Sequence, residues 1–399
     1  MDAPHVFPSR PGPKPALVRS AMGGLFLLGG LMALLGAALP VWGNYFDLEL
    51  AMAGNYFLAF NLGIFAAAMV SRRMLGRLGL RGVLVLSCGL TASSLLVVAG
   101  LYQPLWLLAP LLVLGFAAGT LGSGLSWLMF DALTAPSAAT ILSLAGVFFG
   151  WGAVSFVLFL WLDAEPAGLQ LVALLPATLA VLYWRQRALG EPALQAMPLR
   201  LPHGATRSLP AVLLTLALFF QSGSEWAAGG WMAVYWIREL GVNRETALFG
   251  LALYWIALTL GKLLVPRVPW LTGRFRLLTA STGIALFGCI VLLAALGAGG
   301  ASVGVLCLGV GLGGLYPVLL GLVGERFPYY HPGFFNGLLS LSLVGGMLAP
   351  WSVGLFAHLW VIEWMIWMPA LGLGMVYALL TVLLIEARLS STAATASSS

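Results

Sequence analysis

The sequence predicts an all-α membrane protein, with twelve transmembrane helices in two pseudo-symmetric six-helix bundles. Three observations predict this fold: the composition, the length of the apolar runs and the distribution of basic residues. Of the 399 residues, 61% are hydrophobic and 8% are charged, and the mean hydropathy is +0.99. Soluble domains carry about 25% charged residues. The composition therefore excludes a cytosolic enzyme, a secreted disulfide scaffold and a nucleic-acid-binding domain.

Twelve apolar runs are long enough to cross a bilayer as helices, which takes about 20 residues each. The first six predicted spans are 21–42, 51–71, 83–101, 104–130, 138–161 and 166–184. The second six are 209–237, 246–266, 276–297, 301–324, 333–357 and 364–385.

Polar segments divide the chain into five predicted regions. These are a cytoplasmic tail (1–20), a first six-helix bundle (21–184), a cytoplasmic loop (185–208), a second bundle (209–385) and a disordered tail (386–399). The central loop is basic and contains prolines, and the last segment is rich in Ser, Thr and Ala. Such polar segments do not bury enough apolar surface to fold alone.

The basic residues sort to one side of the membrane when the N-terminus is placed in the cytoplasm. All lysines and arginines except Arg238 and Arg244 then lie in cytoplasmic segments or at cytoplasmic helix ends. Cytoplasmic loops are enriched in Lys and Arg, and a wrong helix count would scramble this sorting. The sequence therefore predicts a multi-pass protein of the cell membrane with both termini in the cytoplasm.

Glu225 is the only acidic residue well inside a predicted span, near the middle of the seventh. A carboxylate at that depth costs several kcal/mol unless it is paired, hydrated or protonated, and burial favours the protonated form. We therefore predict that Glu225 couples transport to protons or binds substrate. The alternative is a structural acid that hydrogen-bonds a neighbouring helix.

Aromatic and polar side chains surround Glu225 along the same span. At helical spacing, Gln221, Trp231 and Tyr235 share or adjoin its face. Aromatic rings cover the C–H faces of a sugar, and amide and carboxylate groups bind its hydroxyls. These residues are predicted substrate contacts. The alternative for the Trp and Tyr is the aromatic belt at the membrane surface.

Further substrate-contact candidates lie inside spans of both bundles, although each alone is more often a helix–helix contact. They are Asn55, Asn61, Trp127, Trp151, Tyr254, Tyr316 and Asn336. Candidate gating residues lie near the cytoplasmic helix ends: Arg72, Arg77, Arg81, Asp131 and Lys262. Lys262 alternatively snorkels to the surface or binds an anionic substrate.

No motif indicates enzymatic chemistry or a cofactor. The sequence contains no HExxH, GxSxG or Walker motif, and the three cysteines make no metal-ligand spacing. We expect no metal and no cofactor, so uphill transport would draw on an ion gradient.

Several of these features resemble the major facilitator superfamily: twelve spans, a long central loop, inside termini and basic loops after the second and eighth spans. The family's loop motif G-x-x-x-D-R-x-G-R-R is partly matched at 72–81, where Arg77, Gly79 and Arg81 agree. Arg72 stands in place of its first Gly, and Gly76 in place of its Asp.

Within that superfamily, Gly223-x-Glu225 followed by Gly230-Trp231 and Tyr235 is similar to the fucose/glucose–proton symporter branch. In the eleventh span, the series Gly345-Gly346, Pro350 and Gly354 is similar to the same branch. The resemblance implies alternating access, in which the two bundles rock about a central site.

The sequence as a whole predicts a monomeric, proton-linked secondary transporter of a sugar or similar small polar metabolite. Its partners would be that small molecule, protons and the lipid bilayer, and not a nucleic acid. Two alternatives remain: a proton-coupled exporter of amphipathic or aromatic compounds, and a membrane sensor or scaffold that binds a ligand without moving it.

Overall fold

The computed structural model describes residues 15–133, 138–162, 168–186, 189, 209–264, 273–326 and 337–396, and they are almost entirely helical. The first part of the chain forms α1 (Pro15–Phe46), α2 (Leu50–Ala99), a 3₁₀ turn (Pro104–Leu107), α3 (Leu108–Leu133), α4 (Ala138–Leu162), α5 (Leu169–Val172) and α6 (Leu174–Arg185). The second part forms α7 (Leu209–Glu239), α8 (Arg244–Leu264), α9 (Arg274–Leu293), α10 (Ala298–Arg326), α11 (Gly337–Leu359) and α12 (Trp364–Ala396).

The 50-residue helix α2 contains two membrane crossings separated by Gly79. At 1.5 Å per residue a straight helix of this length would be about 75 Å long, twice the thickness of a bilayer core. Gly79 has φ 68° and ψ 171°, a backbone conformation outside the helical region that glycine adopts without a Cβ clash. It divides α2 into a first arm (50–78) and a second arm (80–99).

The two arms of α2 run in opposite directions along α3. Four contacts show it: Phe60 with Gly115 and Ile64 with Gly119 on the first arm, and Leu84 with Gly124 and Ser87 with Thr120 on the second. Along the first arm, later residues of α2 contact later residues of α3, so the two helices run parallel. Along the second arm, later residues of α2 contact earlier residues of α3, so they run antiparallel. The chain therefore reverses at Gly79.

The structure contains the twelve predicted crossings. Among the described residues, ten helices are long and apolar enough to span a membrane, α2 crosses twice, and the shorter apolar stretch Leu169–Arg185 supplies the remaining crossing. That stretch is broken between α5 and α6, because Pro176 has no N–H to donate to the carbonyl of Val172.

Several boundaries differ from the predicted ones. Helix α1 begins at Pro15, inside the predicted tail, because proline is pre-organised for the first helical position. Helix α12 continues to Ala396, through most of the tail predicted to be disordered, where several alanines favour helix propagation. The basic segment 72–81, predicted as a loop, is helical on both sides of Gly79. Of the predicted loop 185–208, only residues 185, 186 and 189 are described.

The two halves, α1–α6 and α7–α12, meet mainly through α2 with α11 and α4 with α8. Gly54 and Gly354 let α2 and α11 touch, since a Cβ on Gly354 would lie 2.7 Å from the Cα of Gly54. One turn away, Trp351 Nε1 donates to Asn55 Oδ1 at 3.1 Å. These contacts lie at the helix ends predicted to face outside, so the interface is closed on that side.

Replacing Gly115 by Val should destabilise the first half strongly. A Cβ there would lie 2.6 Å from the carbonyl carbon of Phe60, in the tightest part of the contact between α2 and α3. We expect the free energy of unfolding to fall by about 3 kcal/mol. The control is Gly89→Val on the second arm of α2, where a Cβ meets nothing within 4 Å. Equal thermal stability of the two variants in detergent would contradict this packing.

Candidate functional site

A cavity of about 220 Å³ lies between the two halves. Since one water occupies about 30 Å³ in the liquid, the space suits one small metabolite. The first half lines it with Met32, Phe57 and Phe149. The second half lines it with Gln221, Ser222, Glu225, Trp226, Gly229, Gly230, Trp255, Lys262, Tyr316, Ser342 and Leu343.

Glu225 lies on the wall of this cavity, with its side chain 16% exposed. Its Oε1 accepts a hydrogen bond from Lys262 Nζ at 2.9 Å, and its Oε2 accepts one from Gln221 Nε2 at 2.8 Å. Gln221 stands one helical turn before Glu225, which places both side chains on the same face of α7. The backbone carbonyl of Glu225 also accepts a bond from the Tyr254 hydroxyl at 2.9 Å.

Lys262 brings a positive charge from α8 to this site. Its ammonium lies 5.5 Å from the centroid of the Phe149 ring on α4, so it also contacts the first half. The ion pair with Glu225 makes the charged groups of the cavity wall neutral in sum. Removing one partner of such a pair is costly, because the other charge is then left uncompensated in a partly dry environment.

A double-substitution cycle at Glu225 and Lys262 should reveal this interaction. We expect the destabilisations caused by Glu225→Gln and by Lys262→Gln, added together, to exceed the destabilisation of the double variant. The difference, the coupling free energy, should be about 1–3 kcal/mol. The same cycle at Arg244 and Glu245, an exposed pair at 3.3 Å, should give at most about 1 kcal/mol. Thermal unfolding in detergent measures both cycles, and a coupling energy near zero at Glu225 and Lys262 would contradict the pairing.

The structure brings four of the predicted site residues to the cavity: Gln221, Glu225, Tyr316 and Lys262. Tyr254 supports the site from behind, through its bond to the Glu225 backbone. Lys262, predicted as a gate residue at the cytoplasmic end of its span, lines the cavity and donates a hydrogen bond to Glu225 on α7.

Four predicted contacts make helix–helix or intrahelical bonds instead. Trp231 donates to the carbonyl of Pro350 at 2.9 Å, and Tyr235 donates to that of Leu292 at 3.1 Å. Asn61 donates to the carbonyl of Phe57 at 2.9 Å, and Asn55 accepts from Trp351. These bonds satisfy polar groups that would otherwise be stranded among apolar side chains.

The remaining predicted residues lie away from the cavity or outside the described residues. Trp151 is 61% exposed on the surface of α4, and Trp127 is half-buried without lining the cavity. Arg72 and Arg77 are exposed, and the Arg81 guanidinium stacks 5.4 Å from the Trp184 ring. Asn336 and the side chain of Asp131 lie outside the described residues.

Trp255, one of the aromatic residues inside the eighth predicted span, also lines the cavity. It precedes Lys262 by seven residues, two helical turns, which places both on one face of α8. That spacing was visible in the sequence, but it pointed to the cavity only once Lys262 was known to face it. Met32, Phe57 and Phe149 carry no sequence signal, because apolar residues fill every span of this chain.

Within the described residues, no group of three or more His, Cys, Asp or Glu side chains is placed to hold a metal ion. The arrangement offers a charge pair, unfilled space and hydrogen-bonding groups at the junction of two helical bundles. These are properties of a binding site for a small solute.

Comparison with solved structures places the fold among transporters. Nucleoside transporter NupG superposes with a TM-score of 0.71 at 12% identity, covering 93% of this chain and 98% of NupG. The Escherichia coli fucose:proton symporter FucP superposes with a TM-score of 0.62 at 18% identity, covering 92% of this chain and 98% of FucP. At these identities the likeness establishes the fold alone.

Sequence comparison identifies the family. An uncharacterized MFS-type transporter of Yersinia pestis is 24% identical over 348 residues, which cover 84% of this chain and 87% of that protein. The family model described as Major Facilitator Superfamily matches residues 21–350, most of the chain. With twelve crossings and a solute-sized cavity between two six-helix halves, the chain belongs to the Major Facilitator Superfamily of transporters.

Proposed function

We propose that this protein is a proton-linked secondary active transporter, which moves a sugar or similar small polar metabolite by alternating access. The observation that carries the proposal is the position of Glu225. It is the acidic residue of the cavity wall, it lies mid-span, and it is bound by both Lys262 and Gln221.

The Glu225–Lys262 pair supplies a physical route for coupling. When Glu225 takes up a proton its charge is lost, the ion pair with Lys262 is broken, and the ammonium must find another partner. The net charge of the cavity wall then rises by one. We propose that this change biases the equilibrium between two packings of the halves, with the freed ammonium more exposed to water in one packing than in the other.

Reconstituted vesicles test the proposal. The purified protein should accumulate radiolabelled L-fucose or uridine above the external concentration when an inward proton gradient is imposed, and a protonophore should abolish that accumulation. The two solutes are chosen because the structurally similar FucP and NupG are a fucose:proton symporter and a nucleoside transporter. Accumulation that is the same with and without the gradient would refute proton coupling.

A second candidate function is favoured by the apolar wall of the cavity. Met32, Phe57 and Phe149 offer only hydrocarbon and ring surfaces, which suits an exporter of amphipathic or aromatic compounds by proton antiport. Lipophilic cations tested in the same vesicles separate the two functions, since an exporter would extrude them and ignore the sugars. A sensor or scaffold would be stabilised by its ligand without carrying any flux.

We further propose that the protein acts as a monomer in the cell membrane, with both termini in the cytoplasm. The sorting of the basic residues supports this orientation. An epitope tag at either terminus should be protected from external protease in intact cells.

A further inference from the structure

The two halves contribute chemically different walls to the central cavity. The side chains from the first half, Met32, Phe57 and Phe149, are all apolar. The polar groups come from the second half, through α7, α8, α10 and α11. A solute held here meets hydrogen-bonding groups on one side and hydrocarbon on the other.

Two buried polar atoms on the polar wall have no hydrogen-bond partner among the residues that the structure describes. Gln221 Oε1 is an acceptor left over once Gln221 Nε2 donates to Glu225, and Trp255 Nε1 is a donor. Gln221 is 0% exposed and Trp255 is 5% exposed. Leaving such a buried group unpaired costs about 1–3 kcal/mol. Both residues line the cavity, but their unpaired atoms expose no surface to it, so a partner in the cavity can bind them only when the two side chains turn toward it.

The charges of the wall restrict what that partner can be. Glu225 and Lys262 neutralise each other at 2.9 Å, so a charged solute would gain little attraction and would lose its hydration. An uncharged solute meets no such penalty. It needs a donor for Gln221 Oε1, an acceptor for Trp255 Nε1 and an apolar face toward Phe57 and Phe149.

We propose that Trp255 and Gln221 are specificity-determining residues for a neutral, ring-shaped solute with a polar edge and an apolar face. This inference rests on the proposed function, because it assigns the substrate class of the same cavity. Trp255 Nε1 donates to an acceptor on the edge of the solute, and Gln221 Oε1 accepts from a donor on that edge. The apolar face of the ring packs against Phe57 and Phe149.

Binding to the purified full-length protein, measured calorimetrically without any gradient, tests the assignment. The ring-shaped probes are L-fucose and uridine, the open-chain neutral probe is D-mannitol, and the anionic probe is D-gluconate. We expect at least one ring-shaped probe to bind, more tightly than mannitol or gluconate. Trp255→Phe, which keeps the ring and removes the N–H, should raise its Kd about 5–30-fold.

The chain supplies a matched control in Trp236. Its Nε1 is also buried without a partner in the described part of the chain, but it packs against Gly250 and does not line the cavity. Trp236→Phe should leave the Kd unchanged. The proposal is overturned if Trp255→Phe binds the ring-shaped probe as tightly as the parent protein. That result is expected if Trp255 Nε1 donates to water and not to the solute. It is also overturned if neither ring-shaped probe binds, or if mannitol or gluconate binds as tightly as the ring-shaped probes.

This test separates the inference from the proposed function. A protein that binds a ring-shaped solute through Trp255 but does not accumulate it on a proton gradient would refute only the coupled transport. A protein whose Trp255→Phe variant accumulates the solute with unchanged affinity would refute only the inference.

Discussion

Glu225→Gln is expected to abolish proton-driven accumulation while leaving the protein able to equilibrate solute across the membrane. The amide keeps the size of the carboxyl group but cannot exchange a proton with the cavity, so the gradient no longer acts on the conformational equilibrium. A proton gradient of one pH unit stores about 1.4 kcal/mol per proton, which corresponds to a tenfold concentration ratio, so accumulation ratios under that gradient should fall about tenfold. Vesicle uptake of L-fucose and uridine at several imposed gradients measures the effect.

Two comparisons make this result interpretable. Glu245→Gln removes an acid that is 49% exposed and pairs with its neighbour Arg244, and the variant should accumulate solute like the parent protein. Counterflow of labelled solute in the Glu225→Gln vesicles shows whether the variant is folded and still moves solute. If Glu225→Gln accumulates solute as well as the parent protein at every gradient, Glu225 is not the coupling group.

Gly354→Val should arrest the transport cycle by preventing closure on the predicted outer side. A Cβ on Gly354 would lie 2.7 Å from Gly54 Cα and 2.7 Å from the Leu50 carbonyl oxygen. Atoms packed in that way have no room to move aside, because the obstacle is the backbone of α2. The clash lies between the two halves, so each half should still fold. We expect the uptake rate to drop at least about tenfold, which corresponds to an activation free energy raised by about 1.4 kcal/mol or more.

Labelling from outside distinguishes a blocked closure from misfolding. Asn55 lies beside this contact and accepts a bond from Trp351. In an Asn55→Cys background, Gly354→Val should raise the reaction rate with a membrane-impermeant maleimide, because the outer ends of α2 and α11 are held apart. Gly374→Val is the control, since a Cβ at that position of α12 meets nothing within 4 Å. Equal labelling in both variants would show that the α2–α11 contact does not close the outer side.

The helix count and the position of Glu225 inside an apolar span were predictable from the sequence for one physical reason. Crossing a bilayer demands a run of about 20 apolar residues, and this requirement is met locally, within each segment. A single acidic residue in such a run can be identified from the sequence, whatever the arrangement of the other helices. The reversal at Gly79 was less visible, because a helix can continue through a short basic segment until a single residue leaves the helical conformation.

The composition of the site was predictable only in part. Gln221 and Glu225 share a helix, so their proximity follows from the helical period. Trp231 and Tyr235 satisfied the same spacing argument, yet their polar atoms bind carbonyls of α11 and α9. The rotation of α7 about its own axis decides which residues face the cavity, and that rotation depends on the neighbours against which it packs.

The sequence by itself determined the number of crossings, the two-bundle plan and the presence of an acid in the middle of an apolar span, because each is set by local hydropathy and charge. Only the tertiary structure decided that Lys262 pairs with Glu225, and that Tyr316 lines the cavity beside them while Trp231 and Tyr235 do not. The tertiary structure also placed the polar groups of the cavity wall on the second half of the protein. Which residues face the cavity depends on the rotation of each helix and on contacts between residues distant in the chain. A uniformly apolar sequence carries little pattern that would predict either.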